Sequence, residues 1–223
     1  MLLSGGSASA VQPEAADVFK AVHTDASATW WSLEPDIRFA LITVRDDRDH
    51  TMPGRPVLKE SVSVVIWQDF CDEATDEDVV RRFTGNKEAD IQIHPSLESA
   101  SVDEPMVLDG VESRASGCSN SGLPTPERDI GDFAVRVSAQ WSGVGPVDRY
   151  QDVLQLFPTC KFWTGGAFRY ATATGSITGD LDVGALGTTE SRDAHFSSLM
   201  FKSLSKDEGA CFEDPNEDPN PPN

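Results

Sequence analysis

A strict two-residue period limits this chain more than any other feature. From residue 133 to 141, Phe133, Val135, Val137, Ala139 and Trp141 fall on one side, and Ala134, Arg136, Ser138 and Gln140 on the other. A helix would scatter those apolar residues around its axis, whereas a strand sets i, i+2 and i+4 on one face. The segment therefore reads as a half-buried antiparallel strand, with one face on the core and one in water.

Residues 37–45 and 57–70 form an earlier pair of strands, joined by a polar loop over 46–56. In the second, Leu58, Val62, Val64 and Ile66 face one way, and Val65 and Trp67 the other; Trp67 and Trp141 both read as core. Ser142 to Pro146 reads as a turn and 148–157 as the strand returning from it. Residues 168–177 and 195–204 supply two later strands across a Gly-rich loop, and 29–33, 89–94 and 105–108 are weaker candidates. Helix signals occur in two places only. Thr75 can cap residues 76–83, with Glu77 and Asp78 at the positive end of the dipole and Gly85 as the stop; residues 14–22 are the second. Residues 96–130 are mostly polar and read as a long loop.

Seven to nine short strands with almost no helix predict an all-β fold. Uneven strands and long loops favour an antiparallel β-sandwich over a closed barrel. Residues 15–206 read as one domain, 1–14 as a flexible leader and 207–223 as a Pro/Asp/Asn-rich tail unable to hold a helix or a central strand.

Charge narrows the function. Among 223 residues, 37 Asp and Glu against 18 Lys and Arg give a formal charge of −19. That charge repels phosphate backbones and anionic membrane faces, which argues against nucleic acid as a partner. No apolar run approaches the roughly 20 residues of a membrane-spanning helix. With 23 Asp and only 6 Lys, the surface resembles that of salt-adapted proteins, although genomic compositional bias gives the same pattern.

Four cysteines, Cys71, Cys118, Cys160 and Cys211, lie far apart with no C-x-x-C pair, so a zinc ribbon is not expected. An even number near strand ends reads as two disulfides, with three pairings open; four buried thiols are the alternative. Disulfides imply an oxidising compartment, and Ala8 and Ala10 satisfy the small-residue rule of a signal-peptidase site. The basic region and most of the apolar region of a signal peptide are missing ahead of them, where only Leu2 and Leu3 precede the glycines. The expectation is an extracellular protein, secreted or held at the cell surface.

Catalytic patterns are thin. His23, His50, His94 and His195 have no metal-ligand spacing, and no G-x-S-x-G elbow occurs. Ser203 and Lys206 spell S-x-x-K, but neither companion motif of that chemistry is present, so the match reads as chance. Calcium is the one cofactor with any signal. Asp180 and Asp182 are a better-placed pair for it than the Asp46–Asp49 cluster, and neither matches the EF-hand loop. A carboxylate pair for glycoside hydrolysis would be invisible in one dimension. No N-glycosylation sequon is present.

Aromatic residues are the remaining handle. Trp30 and Trp31 are adjacent, so on a strand they point to opposite faces, and Trp163 sits near Cys160 before two glycines. Exposed rings on β-folds stack against ligands, which makes Trp30, Trp31 and Trp163 the candidate binding residues. The chain is expected to be a non-catalytic binding module for a glycan or protein ligand. An extracellular hydrolase and a structural surface protein are the alternatives.

Overall fold

Nine antiparallel strands, paired in the order β4-β3-β2-β1-β9-β8-β7-β6-β5, build the computed structural model of the chain. They are β1 (Asp17–Leu33), β2 (Ile37–Asp49), β3 (Val57–Asp72), β4 (Glu77–Glu88), β5 (Gln92–Ile93), β6 (Ser99–Ser116), β7 (Arg128–Phe157), β8 (Cys160–Gly179) and β9 (Gly184–Ser205). The structure describes residues 17–33, 36–49, 57–118, 125–157, 160–181 and 183–205. The expected leader and tail lie outside these.

An added pairing of β4 with β6 closes the sheet, so eight strands form an up-and-down barrel and β5 flanks β6. The expected all-β antiparallel fold is what forms. In place of two stacked sheets, however, one sheet supplies every wall of the core. Within the closed part no strand is left with a free edge, and closure follows from pairings such as Glu77 with Ser116 that no local pattern encodes.

An eight-stranded barrel has an interior just wide enough for side chains to fill. Large rings here face small neighbours across the ladder. Trp141 lies between Ala100 and Ala173, Phe196 opposite Ala26, Trp30 opposite Ala40 and Phe83 opposite Gly110. A Cβ on Gly110 would come within 2.6 Å of the Phe133 ring, so this close packing requires glycine there. Val135, Val137, Ala139 and Trp141 are buried as the period implied, and Phe133 is half-buried. Around the closed barrel the outward faces carry charged pairs, among them Arg136–Asp103 and Arg38–Asp69, while the inner charges gather at its two ends. Apolar inside and charged outside is the reverse of a lipid-embedded barrel. Among the described residues no helix is long and apolar enough to cross a membrane.

Four local expectations change. Residues 77–83 are strand, not helix, because β4 is hydrogen-bonded on both sides, to β3 and to β6. Residues 17–22 likewise pair with β9 rather than coil. Much of the expected 96–130 loop is β6, whose Ala100, Val102, Met106 and Leu108 point inward. The 142–146 turn is an irregularity inside one long strand, between Val144 and Asp148 on β7, and residues 148–154 continue it to pair with β8.

At one end the loop over 89–98 caps the barrel, with Ile91 and Leu97 buried. Strands β6 and β4 stop near that end, at Ser99 and Glu88. Strands β7, β8, β9, β1, β2 and β3 run on past it as an open, six-stranded apron.

At the other end Glu112 is 3% exposed and accepts from Arg81, Arg114 and Arg128 at 2.8 Å each. Arg114 also reaches Glu77 at 2.7 Å. Beside this network Cys71 and Cys118 form a disulfide, one of the three open pairings. The side chain of Cys160 and all of Cys211 lie outside the described residues.

Candidate functional site

Alternation decides which tryptophan meets solvent. Trp30 points inward, is 2% exposed and donates its indole N–H to the Gly187 carbonyl at 3.3 Å. Trp31 therefore points outward and is 58% exposed. Its register partner on β2 is Phe39, whose partner on β3 is Trp67, whose partner on β4 is Arg82. The three rings form a ladder, with centroids 5.4 Å apart from Trp31 to Phe39 and 6.2 Å from Phe39 to Trp67. The second pair is stacked at 14° between planes.

Trp67 thus belongs to this outer shelf and not to the core where the sequence reading put it. Phe39, absent from the expected set, is its middle rung. Alternation in 37–45 holds the signal for it: Phe39 is out of phase with the buried Ala40, Ile42 and Val44. Cross-strand aromatic pairs of this kind stabilise a sheet and fix ring orientation. Trp31 is further held by its N–H donating to Asp193 at 3.0 Å. A large ring fixed in place but left open to water is a pre-organised contact surface.

Polar groups flank the rings. Arg38 donates to Asp69 at 3.1 Å, two residues along β3 from Trp67. Asp69 in turn shares a hydrogen bond with Asp78, whose carboxyl is pushed up by burial and then by the Asp69 charge, with Arg38 pulling the other way. Because the folded state favours protonated Asp78, the ionised form at neutral pH opposes folding. Asp78→Asn is expected to raise the midpoint of urea unfolding near pH 7, with the gain vanishing near pH 3, where the carboxyl is protonated folded or unfolded. An unchanged or lower midpoint near pH 7 would contradict the carboxyl–carboxyl contact.

Trp163 faces the inner side of the apron, half-buried, with the Lys202 ammonium 5.3 Å from its ring centroid. The structure does not bring Trp30, Trp31 and Trp163 together; each has a separate environment.

A cleft of about 580 Å³ opens between the capping loop and the ends of β2 and β3. It holds two acids, Asp46 and Glu60, that are cross-strand partners. Both have structural engagements. Asp46 takes Arg48 at 3.1 and 2.7 Å, and Glu60 accepts the Ile91 amide at 3.2 Å, anchoring the capping loop.

The calcium candidates fare differently. The Asp180 carboxylate accepts the Ala134 amide at 2.9 Å, tying β8 to β7, while Asp182 lies outside the described residues. Among the described residues no three His, Cys, Asp or Glu side chains converge on a metal position.

The chain matches no protein-family model, no curated protein and no solved structure, so function rests on these sites alone.

Proposed function

We propose that the protein is a non-catalytic binding module that takes a neutral glycan on the Trp31–Phe39–Trp67 shelf. The observation that carries this reading is the fixed, solvent-facing Trp31 at the end of a three-ring ladder. A sugar ring has C–H faces that stack on aromatic planes and a rim of hydroxyls that need donors and acceptors. Arg38, Asp69 and Arg82 border the rings and offer both. A neutral ligand also avoids the repulsion that a −19 chain imposes on anions. The Cys71–Cys118 bridge supports an oxidising compartment, and hence work outside the cytoplasm.

The test is a fluorescence titration of the full chain with neutral oligosaccharides of glucose, xylose, mannose, galactose and N-acetylglucosamine. One or more should change the tryptophan emission saturably, without turnover. Trp31→Ala should weaken that ligand at least tenfold, about 1.4 kcal/mol, while the far-ultraviolet circular dichroism stays as in the parent. Equal affinity of Trp31→Ala and parent, or no response to any sugar, would sink the reading. Release of reducing ends during the titration would instead favour a hydrolase.

A further inference from the structure

The apron's inner face collects cations that the rest of this acidic chain keeps paired. Among the described residues eight basic side chains, from Arg38 to Arg136, each hold a carboxylate. Seven hold none, and four of those seven, Lys20, Arg149, Arg169 and Lys202, share this one face; Arg45, Lys59 and Arg192 do not. The register fixes their placement. Lys20 on β1 stands directly opposite Lys202 on β9, and Lys202 opposite Trp163 on β8. Arg149 on β7 stands opposite Ala167, which stands opposite Ser198, and Arg169 stands opposite the buried Phe196. Arg169 gives one N–H to the Leu97 carbonyl at 3.4 Å, and its Nε has no partner.

Like charges directly opposite on a sheet destabilise it, and Asp and Glu outnumber Lys and Arg two to one in this chain. Paired cations would have been the cheap outcome. Between the charges lies a floor of small residues, Gly165, Ala167 and Ser198, in a depression of about 360 Å³. The acids on the same inner face, Asp46 and Glu60, stand across on β2 and β3 and are already engaged by Arg48 and the Ile91 amide.

We infer that this face is a second binding site, for an acidic glycan whose sugar rings carry carboxylates. Four residues of strand separate the Lys202 row from the Arg149 row, roughly 13 Å at about 3.3 Å each. One small anion does not bridge that distance; a chain with a carboxylate on successive rings does. The Trp163 ring supplies a stacking surface, and the guanidiniums of Arg149 and Arg169 match carboxylate geometry. At physiological ionic strength the screening length is about 8 Å, so these local cations outweigh the distant acidic surface.

The experiment titrates the full chain by calorimetry, near 0.15 M salt, with a hexamer of galacturonic acid, its methyl ester and a hexameric oligothymidylate. The uronate hexamer is expected to bind at least tenfold more tightly than either of the others. Arg149→Gln with Lys202→Gln together should weaken it tenfold or more, with unchanged circular dichroism. Trp31→Ala should leave it unaffected, which separates this site from the neutral-glycan shelf whichever of the two fails. Equal binding of ester and acid, equal binding of the oligonucleotide, or a double variant that binds as the parent does would each overturn the proposal.

Discussion

Glu112→Gln is expected to lower the unfolding free energy by about 3–5 kcal/mol near neutral pH, the largest loss from any polar substitution in this barrel. The side chain is 2% exposed and lies where Arg81, Arg114 and Arg128 converge. Burial alone would raise its carboxyl, but hydrogen bonds from Arg114, Arg81 and Arg128 outweigh burial and bring it down to about 2. Relative to an ordinary value of 4.5, that depression corresponds to about 3 kcal/mol of stabilisation. A neutral amide keeps the shape and loses the charge, leaving three guanidiniums around a group that no longer balances them.

The pH dependence has a definite sign. A carboxyl whose folded value lies below its unfolded value stabilises fully above the unfolded value, and the effect is lost as pH falls toward the folded one. The difference between parent and Glu112→Gln should therefore hold above about pH 5, shrink between about 4.5 and 2, and close near pH 2. Urea melts at four or five pH values measure it. A difference that stayed constant down to pH 2 would mean that charge is not what Glu112 contributes.

This network also holds information that the local sequence pattern lacks. Residues 77–83 resembled a capped helix because Arg81 interrupts the two-residue apolar period: its side chain takes the inner face beside Phe83 and Val79. An inward-pointing charge is tolerated there only because Glu112 waits on β6, 31 residues later, and a one-dimensional pattern does not contain that partner. In β6 the signal was present and outweighed. Ala100, Val102, Met106 and Leu108 share one face, but only 105–108 reads as a weak strand, because Glu104 and Gly110 on either side read as loop. Pro105 has no amide to donate, and Lys87 caps its carbonyl at 2.8 Å. Gly143, Gly145 and Pro146 suggested a turn for a similar reason, yet they mark only a pairing irregularity in β7.

The choice between sandwich and barrel depends on β4 meeting β6 as well as β1 meeting β9, and that information is entirely non-local. At the site, alternation alone puts Trp30 and Trp31 on opposite faces, and only the fold shows that Trp31 is the outer one. The rest of the shelf needed register, because Phe39 and Trp67 gain meaning only as cross-strand neighbours of Trp31. The cationic apron shows the same limit more sharply. Lys20, Arg149, Arg169 and Lys202 span most of the chain and become one face only after four strands pair.

Removing the Cys71–Cys118 bridge is the second large effect expected. The two residues are 47 apart in sequence, and a cross-link closing a loop of that size restricts the unfolded chain by about 4 kcal/mol. The bridge joins the end of β3 to the segment just after β6, across β4, which lies between them in the sheet. It sits in the same corner as Asp72, Glu77 and Arg114, so both devices hold the β3–β4–β6 closure that makes the sheet a barrel. The double substitution Cys71→Ala with Cys118→Ala leaves the other two cysteines untouched and should lower the urea midpoint by 1 M or more, given a slope of about 1–3 kcal/mol per M. Circular dichroism in water should stay β-rich, since the core residues from Val62 to Phe196 do not depend on the sulfurs for burial. Combined with Glu112→Gln, the loss should exceed the sum of the two single losses if closure is cooperative, because either device alone can still hold β4 against β6. Strict additivity in that double-mutant cycle would show instead that the sulfur bridge and the buried carboxylate act on separate parts of the barrel.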